Sequence, residues 1–316
     1  MGTRFTLALL ALIHLAVVFA GFLAPYDYAE QHRDYPYAPP VRVRFDGLRP
    51  FVYEPVEDRS TGEYHEGDRP IPVRFLVHGR LFGVDRGGIF LLGSDAYGRD
   101  VFSRVLYGGR ISLATGLAAA ALALGIGLGW GTLAGFFGGW ADRLIMRSGE
   151  LFLALPWLYL LLAVRAFLPL HISPIQAFFL LVAIIGCVGW VRPARLIRGE
   201  VLSLRERGYV EAARGFGAGP LYLIRRHILP EIVPVAVTQA TILIPQYILA
   251  EVTLSFLGLG VGEPVPSWGN MLADARQYHV LVSHAWLLAP GLATVPLLLG
   301  YLILADRLLE KRRILK

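Results

Sequence analysis

The chain has 316 residues, 55% of them hydrophobic and 17% charged, with a formal net charge of +6. A mean hydropathy of +0.53 is too apolar for a water-facing surface, which excludes an ordinary soluble two-domain protein and marks a polytopic membrane protein. The positive charge does not point to nucleic acid, because the arginines stand between and after apolar runs, where inside loops hold them.

A helix needs about 20 residues to cross about 30 Å of hydrocarbon. Six segments qualify: Phe5–Ala24, Ile111–Phe137, Ser148–Leu168, Ile175–Val191, Pro234–Leu257 and Ala285–Ala305. The first, within residues 1–24, contains a passable signal-peptidase site at Val18-Phe19-Ala20. Its apolar run is long, and only Arg4 precedes it, so it reads as an uncleaved anchor. A long extracytoplasmic loop, 25–110, follows. Within it, Val41-Arg42-Val43-Arg44-Phe45 and Ile71–Val77 alternate with period two between Gly, Asp and Pro clusters. That pattern predicts a small β-rich insert over Val41–Ile89. A disordered linker is the alternative, and the aromatic and β-branched content counts against it.

The remaining five spans form a core, 111–305. In the second span, Gly127-x-x-x-Gly131-x-x-x-Gly135 lets another helix approach closely, either in the same bundle or in a sister subunit. Arg165 stands near the outer end of the third span, placed either to snorkel to headgroups or to meet a substrate carboxylate. Cys187, the single cysteine, lies in the fourth apolar run. It forms no internal disulfide or multi-thiolate site and reads as a small core residue. The fourth helix is expected to run on into the cytosol through Arg195, Arg198 and Leu204.

Residues 193–233 are polar and Arg-rich. Glu211-Ala212-Ala213, with Arg214, are good helix formers. Gly215, Gly217 and Gly219 permit a sharp turn, and Pro220 suits the first turn of a new helix. That short helix is predicted at Leu221–Leu229 and ended by Pro230, giving a rigid lever across the membrane face. In the fifth span, Gln239 and Gln246 share a stripe around Pro245, and Glu251 shares a face with Ser255 one turn on. These polar groups either line a pathway or make inter-helix hydrogen bonds. A basic tail, 306–316, ends the chain. With the N-terminus inside, inside loops collect almost all short-loop arginines and outside loops hold only Arg276, which puts both termini in the cytoplasm.

The phosphate-cradling G-x-x-x-x-G-K-[ST] loop needs a lysine, and the first lysine here is Lys311. ATP must be handled by another polypeptide. No H-E-x-x-H occurs, and His14, His171, His279 and His284 lack ligand spacing. No catalytic, metal or cofactor site is therefore expected in this chain.

Four segments in order resemble one family. Glu211-Ala212-Ala213, three residues, Gly217, nine residues, a variable pair and Leu229-Pro230 are similar to the signature loop of type I ABC importer permeases. Leu92-Gly93-Ser94-Asp95-Ala96-Tyr97-Gly98-Arg99-Asp100 through Arg104, and Gly108-Gly109-Arg110-Ile111-Ser112-Leu113, resemble dipeptide/oligopeptide-type (C-type) permeases. So does Ala250–Gly260, followed by Pro266-Ser267-Trp268-Gly269-Asn270. The resemblance implies an all-α, six-helix inner-membrane permease with the β-rich insert outside. It implies a second, different but homologous permease, two cytoplasmic ATPases that use ATP and Mg, and an extracytoplasmic binding protein. Glu211 and Gly217 would meet the ATPase, with Arg214 nearby. Di- or oligopeptides are the implied cargo, with nickel or another small solute as the alternative within the family. An ATP-independent secondary transporter would need an internal repeat and an ion-coupling site, and neither is evident. The long insert, Arg165, and Leu302 and Ala305 in place of a usual Asn and Gly depart from the family pattern and bear on cargo rather than coupling.

Overall fold

Helix α3, Val101–Phe137, is the element against which most others pack in the computed structural model, which describes residues 3–58, 63–77, 79–85, 87–154, 156–166 and 173–315. It starts earlier than the predicted Ile111, because Asp100 caps it: the Asp100 carboxylate accepts the Ser103 N–H at 2.7 Å and the Ser103 hydroxyl at 2.6 Å. The loop therefore ends at Asp100 rather than at Arg110. Among the described residues, three helices are long and apolar enough to cross a membrane: Val101–Phe137, Pro220–Phe256 and Ala285–Glu310. A bent pair, α6 (Pro174–Gly189) and α7 (Val191–Arg205), adds a fourth if counted as one span, with 43° between its halves.

The other predicted spans differ in detail. The first is α1 (Thr3–Val18) followed by a separate turn, α2 (Ala20–Leu23). The third is α4 (Gly139–Ala154) and α5 (Trp157–Ala166), divided beside Pro156, which lacks the N–H that a continuous helix requires. Its end, with His171 and the Arg165 side chain, lies outside the described residues. The last helix, α13 (Ala289–Leu315), continues through residues 306–315 of the expected tail. Cys187 is exposed on α6 rather than buried, since that helix is apolar all round.

Between α2 and α3 the chain forms β1 (Arg44–Asp46), β2 (Arg49–Glu57) and β3 (Tyr64–Pro72) in one antiparallel sheet. A hairpin of β4 (Arg74–Val77) and β5 (Arg80–Gly83) follows. Val52 pairs with Ile71, and the register shifts between Tyr53 and Pro55, where proline cannot donate to the ladder. Tyr26, Ala38, Val52, Ile89 and Phe90 form the core beneath it.

In the helical part, α3 and α7 touch backbone to backbone. A Cβ on Gly131 would stand 2.6 Å from the Ala194 carbonyl oxygen, one on Gly135 2.8 Å from that of Arg198, and one on Gly127 3.0 Å from Pro193. The glycine stripe thus seats a helix of the same chain. Nearer the N-terminus of α3, Ala119, Ala120 and Ala123 meet Leu181 and Ile185 of α6 and Leu243, Ala250 and Leu254 of α10, Leu229–Phe256.

The α6–α7 joint has a definite cause. Pro193 offers no N–H to the Gly189 carbonyl four residues back. The Tyr247 hydroxyl of α10 donates to that carbonyl instead, at 3.1 Å. A Cβ at position 189 would overlap the same hydroxyl, so the residue must be glycine.

The glycine ridge generates a paired test. Gly131→Ala should destabilise the detergent-purified protein by about 1–3 kcal/mol through overpacking. Gly129→Ala, where a Cβ meets nothing within 4 Å, should be neutral or raise stability by up to about 1 kcal/mol. Thermal unfolding of the two variants separates the effects.

Candidate functional site

Helix α7 is amphipathic because it leaves the apolar layer. Its buried face, Ile197, Val201 and Leu204, packs with Ile228 and Ile232 near α10, while arginines occupy the other face. Two of them fasten it. Arg198 forks onto Asp142 of α4, with Nη2 2.5 Å from Oδ2 and Nε on the other oxygen. Arg205 Nη1 donates to the Gly135 and Phe136 carbonyls at 3.3 and 3.4 Å, satisfying groups at the C-terminal end of α3.

Beyond it, α8 (Gly208–Gly215) carries Glu211, Ala212, Ala213 and Arg214. Val210 is fully buried and anchors the helix; Glu211, Ala212 and Arg214 are exposed and Ala213 is half-buried. The helix closes with a paired bond pattern. Ala218 N–H reaches the Ala213 carbonyl at 3.1 Å, and Gly217 N–H reaches that of Arg214 at 3.0 Å. Such a Schellman closure requires a left-handed residue, and Gly217 supplies it with φ +87°. The turn pushes Phe216 into solvent, 92% exposed. Tyr209 and Tyr222 flank His227, each with ring centroids 5.8 Å from it, and so brace α8 against the following helix.

That following helix corrects the sequence reading. Exposed Pro220 does open a helix, α9 (Pro220–Leu223), but Pro230 does not end it. A π-turn, Ile224–Ile228, intervenes, with the Leu229 N–H reaching five residues back to Ile224, and the helix continues to Phe256. The widened turn carries the preceding carbonyls clear of the proline ring. Leu229 and Pro230 therefore belong to the helical pass, while Glu211 through Gly217 form the displayed turn.

The polar residues of α10 fall into two groups. Gln246 is exposed and borders a cleft beside the α6–α7 joint, and Gln239 is half-buried two turns earlier on the same stripe. Glu251 and Ser255 are enclosed, at 0% and 2% exposure. Ser255 Oγ donates to Glu251 Oε1 at 2.6 Å, and the hydroxyls of Ser112 and Ser267 lie beside the same carboxyl group. Ser112 Oγ in turn accepts the Trp268 N–H at 3.1 Å. Glu251 thus ties α10 to α3 and to the N-cap of α11 (Trp268–Met271). His14 is likewise packed, with Nε2 3.2 Å from the Tyr301 hydroxyl between α1 and α13.

A charge cluster at the start of α3 was not legible in advance. Arg99 Nε lies 2.6 Å from Asp95 Oδ2 and Nη1 lies 2.6 Å from Glu263 Oε2. Arg104 Nη2 stands 2.9 Å from Glu263 Oε1, and its Nη1 donates to the Tyr28 carbonyl at 3.1 Å. Both arginines are almost wholly buried, whereas Glu263 is half-exposed. Burial pushes the neighbouring Asp100 carboxyl up to about 7, against hydrogen bonds from Ser103 that hold it down. Trp286 Nε1 donates to the Ser94 carbonyl at 3.0 Å, and His284 stacks on Tyr37 at 4.3 Å. The cluster joins the first loop, the start of α3 and the loops on either side of α11. Arg104→Met, which removes a buried guanidinium from Glu263 and Asp95 but leaves both on Arg99, should cost about 1.5–3 kcal/mol in thermal unfolding. Arg44→Met breaks an exposed pair with Glu66 and should cost less than about 1 kcal/mol.

Residues 127–314 match the family described as "Binding-protein-dependent transport system inner membrane component", and residues 4–40 match the "N-terminal TM domain of oligopeptide transport permease C". Over 217 residues the chain is 40% identical to the glutathione transport system permease protein GsiD of Pectobacterium atrosepticum, which covers 69% of this chain and 70% of that protein. It is 37% identical over 217 residues to the dipeptide transport system permease protein DppC of Alkalihalophilus pseudofirmus, covering 68% of this chain and 69% of the relative. A chain of the MetNI methionine ABC transporter, in an inward-facing conformation, aligns with a TM-score of 0.48 and 21% identity over 66% of this chain and 96% of that one. With the family match spanning more than half its length, the chain belongs to the binding-protein-dependent transport system inner membrane components, and it is the permease subunit of an ABC importer.

Proposed function

We propose that this permease moves di- or oligopeptides into the cell by alternating access, driven through the turn Glu211–Gly217 by two cytoplasmic ATPase subunits that bind ATP and Mg. In this reading it crosses the inner membrane six times with both termini in the cytoplasm and the β-rich insert outside. Its partners are a second, homologous but different permease and an extracytoplasmic binding protein that delivers cargo. The observation that carries the coupling role is the exposed, Schellman-closed turn held on a buried Val210 anchor. A flexible loop would absorb a push, whereas this one is fixed to α7, and α7 is fixed to α3 and α4 by the glycine ridge, Arg205 and Arg198.

Movement of the turn is then transmitted to the spans through the joint at Gly189. The switch between inward and outward access requires that the ATPases bind the two states with different free energies. Phe216 offers an apolar knob for a partner cleft, flanked by the charges of Glu211 and Arg214. Peptide cargo is favoured over nickel because GsiD and DppC are named for glutathione and dipeptide transport.

Glu211→Lys should leave membrane insertion unchanged and lower uptake of a labelled dipeptide by about ten-fold or more, the scale of one lost charge-assisted contact. ATPase activity should stop responding to cargo-loaded binding protein. Wild-type uptake by this variant would refute the coupling assignment.

A further inference from the structure

The cleft at the α6–α7 joint has a volume of about 460 Å³, within the range of small-molecule sites and, like them, mostly apolar with few polar groups. Ile185, Leu243 and Val191 supply apolar wall, while Arg192 and Gln246 supply the polar groups not already engaged. Tyr247 also borders the cleft, but its hydroxyl is committed to the Gly189 carbonyl.

The arginines of α7 differ in one respect. Arg195 meets Glu150 at 3.6 Å, Arg198 meets Asp142, and Arg205 meets Glu206 at 3.8 Å. Among the described residues, Arg192 has no carboxylate within ion-pair distance, and it is the α7 arginine that borders the cleft. Beside an apolar wall, a guanidinium without a partner attracts a carboxylate or phosphate, which it binds through two parallel N–H donors. Gln246 carries both a donor and an acceptor, as a peptide amide requires.

We propose that this cleft is a cargo-contact site in which Arg192 takes the C-terminal carboxylate of a peptide and Gln246 an amide of its backbone. The proposal rests on the peptide-importer reading and adds to it a selective group within the permease. Cargo held there lies against Gly189 and Val191, the residues at which the lever α7 departs, so occupancy and lever position bear on the same joint.

The test uses the assembled importer, purified without its extracytoplasmic binding protein so that delivery plays no part. A dipeptide bearing a benzophenone side chain is offered as the free acid and as the C-terminal amide, and photolabelled residues are mapped. The free acid should label the cleft, at positions such as Leu153 and Leu249, about ten-fold more than the amide. Arg192→Gln should abolish that difference and Arg192→Lys should keep part of it, while both variants retain the ATPase subunits on size-exclusion chromatography. Equal labelling by acid and amide, or labelling outside the cleft alone, overturns the proposal and leaves Arg192 as a topological or headgroup-binding residue. Peptide uptake by wild-type cells is measured in parallel. Uptake without acid-selective labelling sinks the site and spares the peptide reading, whereas absence of any peptide uptake sinks that reading and this proposal with it.

Discussion

The close approach of α3 and α7 governs the rest of the structure. Helices in lipid gain little from hiding apolar surface from one another, so association relies on packing and on hydrogen bonds. Gly127, Gly131 and Gly135 remove the side chains that would hold the helices apart, and the backbone of α7 fills the space. Once seated there, α7 is positioned to cap the end of α3 through Arg205 and to reach Asp142 through Arg198. A larger residue at any of the three positions would displace the arginines as well as the helix, and with them the orientation of α8.

Prolines determine where this bundle is irregular. A proline in a lipid-embedded helix deletes a hydrogen bond that no water can replace. The chain meets each deletion differently. At Pro193 a tyrosine from α10 supplies the missing donor, and the helix bends by 43°. At Pro230 the backbone widens into a π-turn and continues. The Thr238 hydroxyl donates to the Pro234 carbonyl at 2.9 Å, a side-chain back-bond that does not replace the N–H Pro234 lacks. Two of these accommodations lie on either side of the Glu211–Gly217 turn, at the roots of the helices that enter and leave it. The segment between them is therefore a rigid body attached through two irregular joints.

Hydropathy, glycine spacing and period-two alternation are local signals. They located the long helices and the contact face of α3, and they predicted a β-rich insert over Val41–Ile89, where the strands run from Arg44 to Gly83. The glycine at position 217 was legible as a turn residue, although its Schellman role appears only with the bonds from Ala218 and Gly217. What escaped the sequence depends on pairing across distance. Glu263 joins Arg99 and Arg104 across more than 150 residues, and no spacing announces it. Glu251 could be read either as a pathway residue or as an inter-helix hydrogen-bonding group, because a carboxylate in a span is costly; its serine neighbours come from α10 itself, from α3 and from the loop before α11. Asp100 with Ser103 three residues on was a readable cap, but it sat in a stretch that polarity assigned to loop. Pro230 misled for a different reason: a proline ends a helix only where the backbone cannot widen.

Two populations of charge divide the molecule. Burying an ion is tolerable only when partners satisfy it, and Asp95, Arg99, Arg104 and Glu263 neutralise one another with Tyr28 taking a further donor. Such a set holds loops together, and it has little capacity left for a ligand. Glu211, Arg214 and Arg192 are exposed, and among the described residues none has an ion pair within the chain. In water an unpaired surface charge costs little, so exposure alone assigns no role. Position does the discriminating: Glu211 and Arg214 stand on a turn whose backbone is locked, and Arg192 stands in a cleft whose walls are apolar. A rigid scaffold holding solvated charge in a fixed place bears the ordering cost before any partner arrives, and that pre-organisation is what lets a later contact contribute its full strength.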